Sequence, residues 1–370
     1  MEDITIDASV RNSSAAVLSK AWKGIQNAKP YLRIREAAKE LNTSEAALLA
    51  TTIGENCIRL APNWHDLVKR LPELGHVMAL TRNESCILEH KGVFADINVP
   101  CSGNGGVGTV IGPIEARMFF FKWHVAFAVE QEKSGRQLTS LQVFDKAGDA
   151  VLKVYLQEGK SDYDAYYRLV QDFRSEDQSP EQYTQPYAAK VYAREIDTKD
   201  FLGDWSELQD THDFHGMLAK HNIHRHDALE LARNIFTFPV AASSTLQILE
   251  SAAEVKLPVM IFVGNRGNIQ IHQDKVKTVR VLERGHNGPE TWVNVLDPSF
   301  NMHLRQDTVA TAWIVRKPTR DDIVTSVEVF DENKELVLSF FGLRKPGQPE
   351  MEEWRKIVSE LTLLVNLQNV

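Results

Sequence analysis

The sequence predicts an α+β protein built as a tandem structural duplication, each half a large antiparallel β-sheet flanked by helices. Two observations carry the duplication. The stretches HVMALTRNESCILEH and PVMIFVGNRGNIQIH share residues at one offset of 182: Val77 with Val259, Met78 with Met260, Asn83 with Asn265, Ile87 with Ile269, and His90 with His272. Further on, TSLQVFDKAGDAVLKVY and TSVEVFDENKELVLSFF align at an offset of 186, through Thr139 and Thr325, Ser140 and Ser326, Phe144 and Phe330, Asp145 and Asp331, and Val151 and Val337. A third observation sets the class: helical spacing at the start of the chain gives way, from about residue 75, to β-branched and aromatic runs punctuated by Gly and Asn-Gly.

Taken in order, a polar extension covers residues 1–19 and a first copy covers 20–173. SAAVLSKAWKGIQNAK reads as a helix stopped by Pro30. YLRIREAAKELN and TSEAALLATTIG repeat apolar residues at three and four, with a polar break at Asn42 to Ser44. The strand text follows in ARMFFFKWHVAFAVEQ and its neighbours, and FDKAG and FDENK are hairpin-turn chemistry. GNGGVGTVIG, Gly103 to Gly112, lacks the strand-then-helix unit and later acidic residue of a dinucleotide site, and reads as a flexible turn. RSEDQSPEQYTQPYAAK has linker composition, placing a linker at 174–205 and a histidine-bearing segment with the second copy at 206–370.

Composition narrows the function. With 43% hydrophobic and 25% charged residues, 370 residues bury a full core. No run approaches the roughly 18 apolar residues of a membrane span, and the acidic, polar start is not a signal peptide, so a cytoplasmic location is expected. Cys57, Cys86 and Cys101 form no CxxC pair, which argues against a disulfide framework and against cysteine-bound zinc. Forty-two Lys and Arg against fifty Asp and Glu leave a net charge of −8, a poor footprint for nucleic acid. An anionic ligand is then held by a few placed cations.

DTHDFHGMLAKHNIHRHDAL, Asp210 to Leu229, holds five of the twelve histidines: His212, His215, His221, His224 and His226. Asp210 or Thr211 caps a helix that ends near Asn222, and a second starts near Arg225. At about 100° per residue, Phe214, Met217, Leu218 and His221 share the packed face, while His212 and His215 fall about 60° apart on the other side. The positive helix end keeps His212 neutral and able to ligate. The HxxH spacing has no third ligand for zinc, whereas a haem needs one protein ligand, apolar walls and cations for its propionates. Solvated helix histidines without any ligand are the equally weighted alternative for His212 and His215, and His221, His224 and His226 read as surface residues.

The wording of the chain from about Ala21 to Leu363 resembles the HemS/ChuS hemin-degrading and haem-trafficking family, most closely its PhuS-like subgroup. MALTRNE, FDKAG, DTHDFHGMLAKH, VMIFVGNRG, RKPT with DIVTS, and FFGLRKPGQPE with a following Trp carry the resemblance. It implies a haem cleft between sheet and central helices, with His212 the axial ligand of haem b iron and His215 an alternative ligand. It further implies Arg117 on the distal side, catalytic if the chain degrades haem. Arg225, Lys317 and Arg344 are implied for the propionates, and Phe119, Phe262 and Phe341 as apolar walls. Read without the resemblance, these are a strand arginine, turn cations and core phenylalanines. Some members carry Tyr where this chain has Phe341, VLERGHNGPETW lengthens one loop, and the N-terminus is extended.

The implied function is cytoplasmic haem binding in a bacterial haem-uptake and iron-acquisition system, carrying imported haem toward degradation and iron release. A haem oxygenase or an inner-membrane haem importer is the implied partner. The alternative is an oxygenase-like haem-degrading enzyme with an external electron donor, since no NAD or flavin motif is present. A helix-turn-helix regulator, suggested by RIREAAKELNTSEAALLAT, is remote: SEAALLAT offers no Arg, Lys, Asn or Gln to a base edge.

Overall fold

The computed structural model describes residues 14–100, 105–133, 135–284, 290–344 and 348–368. The chain divides into two compact units that interleave along the sequence. Unit 1 takes residues 1–81, 90–188 and 265–269, and unit 2 takes 82–89, 189–264 and 270–370.

The first copy runs α1 (Ala15–Ala28), α2 (Ile34–Glu40), α3 (Glu45–Ala50), β1 (Cys57–Leu60), α4 (Trp64–Lys69), β2 (Gly75–Arg82), β3 (Cys86–Gly92), β4 (Ile97–Asn98), β5 (Val107–Val110), β6 (Glu115–Phe119), β7 (Trp123–Lys133), β8 (Arg136–Asp145), β9 (Ala150–Ser161) and α5 (Tyr163–Asp172). The order returns as α6 (Thr198–Ser206), α7 (Asp213–Lys220), α8 (Arg225–Leu231), β10 (Thr237–Val240), α9 (Ser244–Glu254), β11 (Pro258–Gly264), β12 (Asn268–Lys275), β13 (Val279–Arg284), β14 (Glu290–Leu296), β15 (Phe300–Arg305), β16 (Val309–Pro318), β17 (Ile323–Asp331), β18 (Leu336–Gly342) and α10 (Glu352–Gln368). Two large antiparallel sheets flanked by helices result, and the duplication is present element for element.

In unit 1 the strands lie in the order β1-β7-β8-β9-β2, and in unit 2 the order β10-β16-β17-β18-β11 repeats it. The expected turns fall where predicted: β8 hands over to β9 with Gly148 at φ +81, and β17 to β18 with Lys334 at φ +64. The repeated asparagines have a structural reason. Asn83 Oδ1 accepts from the Ser85 and Cys86 amides and its Nδ2 donates to the Val337 carbonyl at 2.7 Å. Asn265 does the same with the Gly267 and Asn268 amides and the Val151 carbonyl, at 2.9 Å. One side chain thus closes a turn and satisfies a carbonyl elsewhere in its unit, a role few other residues fill.

Each unit has its own core. In unit 1, Trp64, Leu67, Leu74, Val77, Met118 and Phe120 pack with Tyr166 and Leu169 of α5. In unit 2, Ile248 and Leu249 of α9 meet Val259, Val327 and Phe340. A second cluster there joins Phe201, Trp205, Phe214, Met217 and Leu229 to Trp313, Val315 and Phe330. This cluster seats the histidine segment on β16 and β17.

One reading changes. Within GNGGVGTVIG, Val107–Val110 is strand β5, paired with β6 through Thr109 and Arg117, rather than only a turn. Gly108 lies there because an added Cβ would meet the Phe120 ring at 2.7 Å, so the glycines mark close packing. Gly103, Asn104 and Cys101, and the centre of the lengthened loop, residues 285–289, lie outside the described residues. Cys57 and Cys86 are buried, unpaired thiols, and burial pushes the Cys57 thiol up to about 12. No helix among the described residues is long and apolar enough to cross a membrane.

Candidate ligand site of the second unit

The turn before α7 orders its first histidine. Asp210 Oδ1 accepts from the His212 amide at 2.8 Å and lies 2.6 Å from His212 Nδ1, while the Asp210 amide donates to Asp213 Oδ2 at 3.0 Å. The His212 amide, then its ring, hold the Asp210 carboxyl below the usual carboxylate range, and the Arg344 charge adds to this. With Nδ1 engaged by the carboxylate, Nε2 is the ring nitrogen left for a metal. The His212 side chain is 89% exposed, so that nitrogen is free to meet an incoming iron. A carboxylate-oriented, solvent-facing imidazole fits the demand of an axial haem ligand.

His215 follows on the same side of α7 and is exposed. Its ring is nonetheless crowded by protein on one flank, and this desolvation, reinforced by the Arg225 and Lys317 charges, lowers its pKa to about 4. The imidazole is therefore neutral, with one unprotonated nitrogen able to serve a metal. Phe214, Met217 and Leu218 are buried as the helical spacing requires, and Asn222 adopts φ +46 at the helix end.

Of the remaining histidines, His221 and His226 have buried side chains and His224 is half-buried. The His221 side chain is 8% exposed, 2.6 Å from Asp204 Oδ2, and packs edge-on against Phe201. His226 is buried against Trp313 and Phe330, with Nε2 3.2 Å from Thr311 Oγ1. His224 caps α8 by accepting from the His226 amide, and its ring meets Tyr192. His221 is held by α6 and His226 by β16 and β17, contacts that one helix's periodicity does not reveal. Asp200, Asp204 and His221 bring ligand atoms within 4.8 Å of one another. Lys220 Nζ, 2.5 Å from Asp204 and 3.8 Å from Asp200, already supplies the positive charge there.

Beside His215 the fold brings together two of the expected cations and a carboxylate that sequence reading missed. Arg225 Nε and Nη2 each donate to one oxygen of Glu328 at 2.7 Å, and Lys317 Nζ donates to Oε1 at 2.7 Å. The Phe214 ring lies 5.1 Å from the Arg225 guanidinium carbon and 4.5 Å from Lys317 Nζ, and Phe341 is 5.9 Å from the latter. Burial alone would raise the Glu328 pKa, but the two cations outweigh it and hold the carboxyl well below its usual range. Burial pulls the Lys317 ammonium down. Phe262 packs against Phe341 at 5.1 Å, and Arg344 lies 3.8 Å from Asp321. The signal for Glu328 was present: a lone acid in the apolar run VEVF requires a buried cation.

Arg117 and Phe119 belong to unit 1. Arg117 is half-exposed on β6, with Nη2 donating to Glu115 at 3.1 Å and Nη1 to the Ala116 carbonyl. Phe119 lies 6.0 Å from Phe121.

Comparison with known proteins gives the family of the chain. The family model described as the haemin-degrading HemS.ChuX domain matches residues 42–173 and again 222–361. The hemin transport protein HemS of Yersinia enterocolitica is 31% identical over 330 residues, 88% of this chain and 92% of that protein. The crystal structure of holo-PhuS, a heme-binding protein from Pseudomonas aeruginosa, superposes with a TM-score of 0.88 at 39% identity, covering 94% of this chain and 99% of that one. ChuS, the heme-degrading enzyme of Escherichia coli O157:H7, gives 0.85 at 29% identity over 94% and 99%. The chain is thus a member of the HemS/ChuX haem-utilisation family, with the domain present twice in tandem.

Proposed function

We propose that this protein binds hemin as cargo through His212 and carries it, in the cytoplasm, toward degradation by a separate haem oxygenase. The observation that carries the reading is the exposed His212 imidazole, whose Nδ1 is held by Asp210 so that Nε2 is left for iron. Arg225 and Arg344 are the cations for the two propionates, and Phe341 and Phe262 the apolar walls. His215, neutral and one turn from His212, is a second ligand to which iron transfers during release. The resemblance to the heme-binding PhuS, at higher identity than to the heme-degrading ChuS, supports carriage over catalysis.

The test is hemin titration of wild type, His212→Ala and His212→Ala/His215→Ala, read by the Soret band. Wild type is expected to give a sharp histidine-ligated spectrum, the single variant a shifted one, and the double variant only weak, non-ligated binding. An unchanged spectrum in the double variant overturns the ligand assignment. Loss of the Soret band with release of iron, under a reductant and oxygen and in the presence of catalase, overturns carriage in favour of degradation by the chain itself.

A further inference from the structure

The carboxylate buried beneath the proposed propionate cations has no place in ligand contact. Its side chain is fully buried, that of Lys317 is 3% exposed, and that of Arg225 is 19% exposed. Both Glu328 oxygens are engaged, Oε1 also receiving Ser326 Oγ at 3.3 Å. Among the described residues Arg225 Nη1 donates to no protein acceptor, so one edge of the guanidinium stays available while the other is clamped. Two cations and one anion leave a single surplus positive charge, the complement of one carboxylate.

We propose that Glu328 is a positioning residue: it commits Lys317 to the interior and holds the Arg225 guanidinium so that its Nη1 edge meets one carboxylate of a bound porphyrin. The inference rests on the hemin reading above. A guanidinium fixed by two hydrogen bonds and an underlying Phe214 ring loses little side-chain freedom when it binds, whereas a free arginine loses much. The first copy carries no acid at that place. The matching position of the first copy, 186 residues earlier, is Gln142, which donates to Ser140 Oγ at 3.0 Å.

The experiment compares hemin with hemin dimethyl ester, and iron-free protoporphyrin IX with its dimethyl ester, so that carboxylate recognition is read separately from iron ligation. Wild type is expected to prefer the acid in both pairs. Glu328→Gln is expected to reduce that preference about tenfold, the scale of one charge-assisted contact, with ester affinity unchanged. Arg225→Gln should remove the same preference, and Arg225→Gln/Glu328→Gln should lose nothing further. A merely structural role would move acid and ester together. Full acid preference in Glu328→Gln, or a double variant with a larger loss than Arg225→Gln, overturns the proposal. If Glu328→Gln does not fold, Lys317→Met/Glu328→Leu, which empties the buried pair without stranding a charge, is expected to show the same loss. Wild type that binds hemin without preferring the acid refutes the positioning role alone; wild type that binds no hemin overturns the hemin reading beneath it.

Discussion

Removing Glu328 alone should be among the most damaging single changes in unit 2. Glu328→Leu strands Lys317, whose side chain is 3% exposed, and takes both oxygens from Arg225. Breaking one side of a buried ion cluster costs about 3–5 kcal/mol, because the desolvated partners keep their penalty and lose their compensation. Lys317→Met/Glu328→Leu leaves only Arg225, which reaches solvent, so the double variant should recover at least about 2 kcal/mol relative to Glu328→Leu. The exposed pair Lys23 and Glu55, at 3.0 Å with both side chains more than half exposed, is the control, and Lys23→Ala should cost under about 1 kcal/mol. Urea unfolding followed by tryptophan fluorescence gives the midpoints, Trp205 and Trp313 reporting on the cluster's own core. The sign with pH is definite. Glu328 is depressed in the folded state, so its contribution is complete above the unfolded value of about 4.3 and is lost as pH falls through the folded value. A Glu328→Leu variant within about 1 kcal/mol of wild type, or a double variant as unstable as the single one, would refute this account.

Two further outcomes follow from neighbouring geometry. His215, lowered to about 4 by crowding and by the Arg225 and Lys317 charges, binds fewer protons folded than unfolded. Stability should therefore fall as pH drops from about 6.5 toward 4, less steeply in His215→Ala. The check is an NMR titration of its ring, which should show a midpoint near 4 rather than above 6. Arg59 donates to the Ser179 and Glu181 carbonyls at 2.9 Å and pairs with Gln182, holding an extended polar segment against unit 1. Arg59→Gln should expose Ser175 to Ala188 to limited proteolysis several-fold faster than wild type while leaving the hemin spectrum unchanged.

How far the sequence reaches depends on whether a feature is local. Asn222 at the end of α7, the turns after Asp145 and Asp331, and the burial of Phe214, Met217 and Leu218 are properties of backbone sterics and one helix's period, and all were readable. Strand β5 was hidden because Gly106 and Gly108, there for close packing against Pro100 and Phe120, look like turn residues. His221 and His226 were misread for the complementary reason: their partners, Asp204, Thr311 and Phe330, lie 17 to more than 100 positions away. The wording DTHDFH singled out one segment, yet the contact between Asp210 and the His212 ring appears only with the turn's geometry.

By itself the sequence determined the duplicated α+β architecture, the family and the segment that bears the exposed histidines, because repeats, hydrophobic periods and turn residues are written in neighbouring positions. Only the tertiary structure decided that His221 and His226 are buried and that one carboxylate engages both Arg225 and Lys317. Lys317 and Arg225 look alike as basic residues in a chain, and what separates them is Glu328, brought by strand β17 beneath both. A charge's value depends on its desolvation and its counter-ion, and both are properties of the packed state.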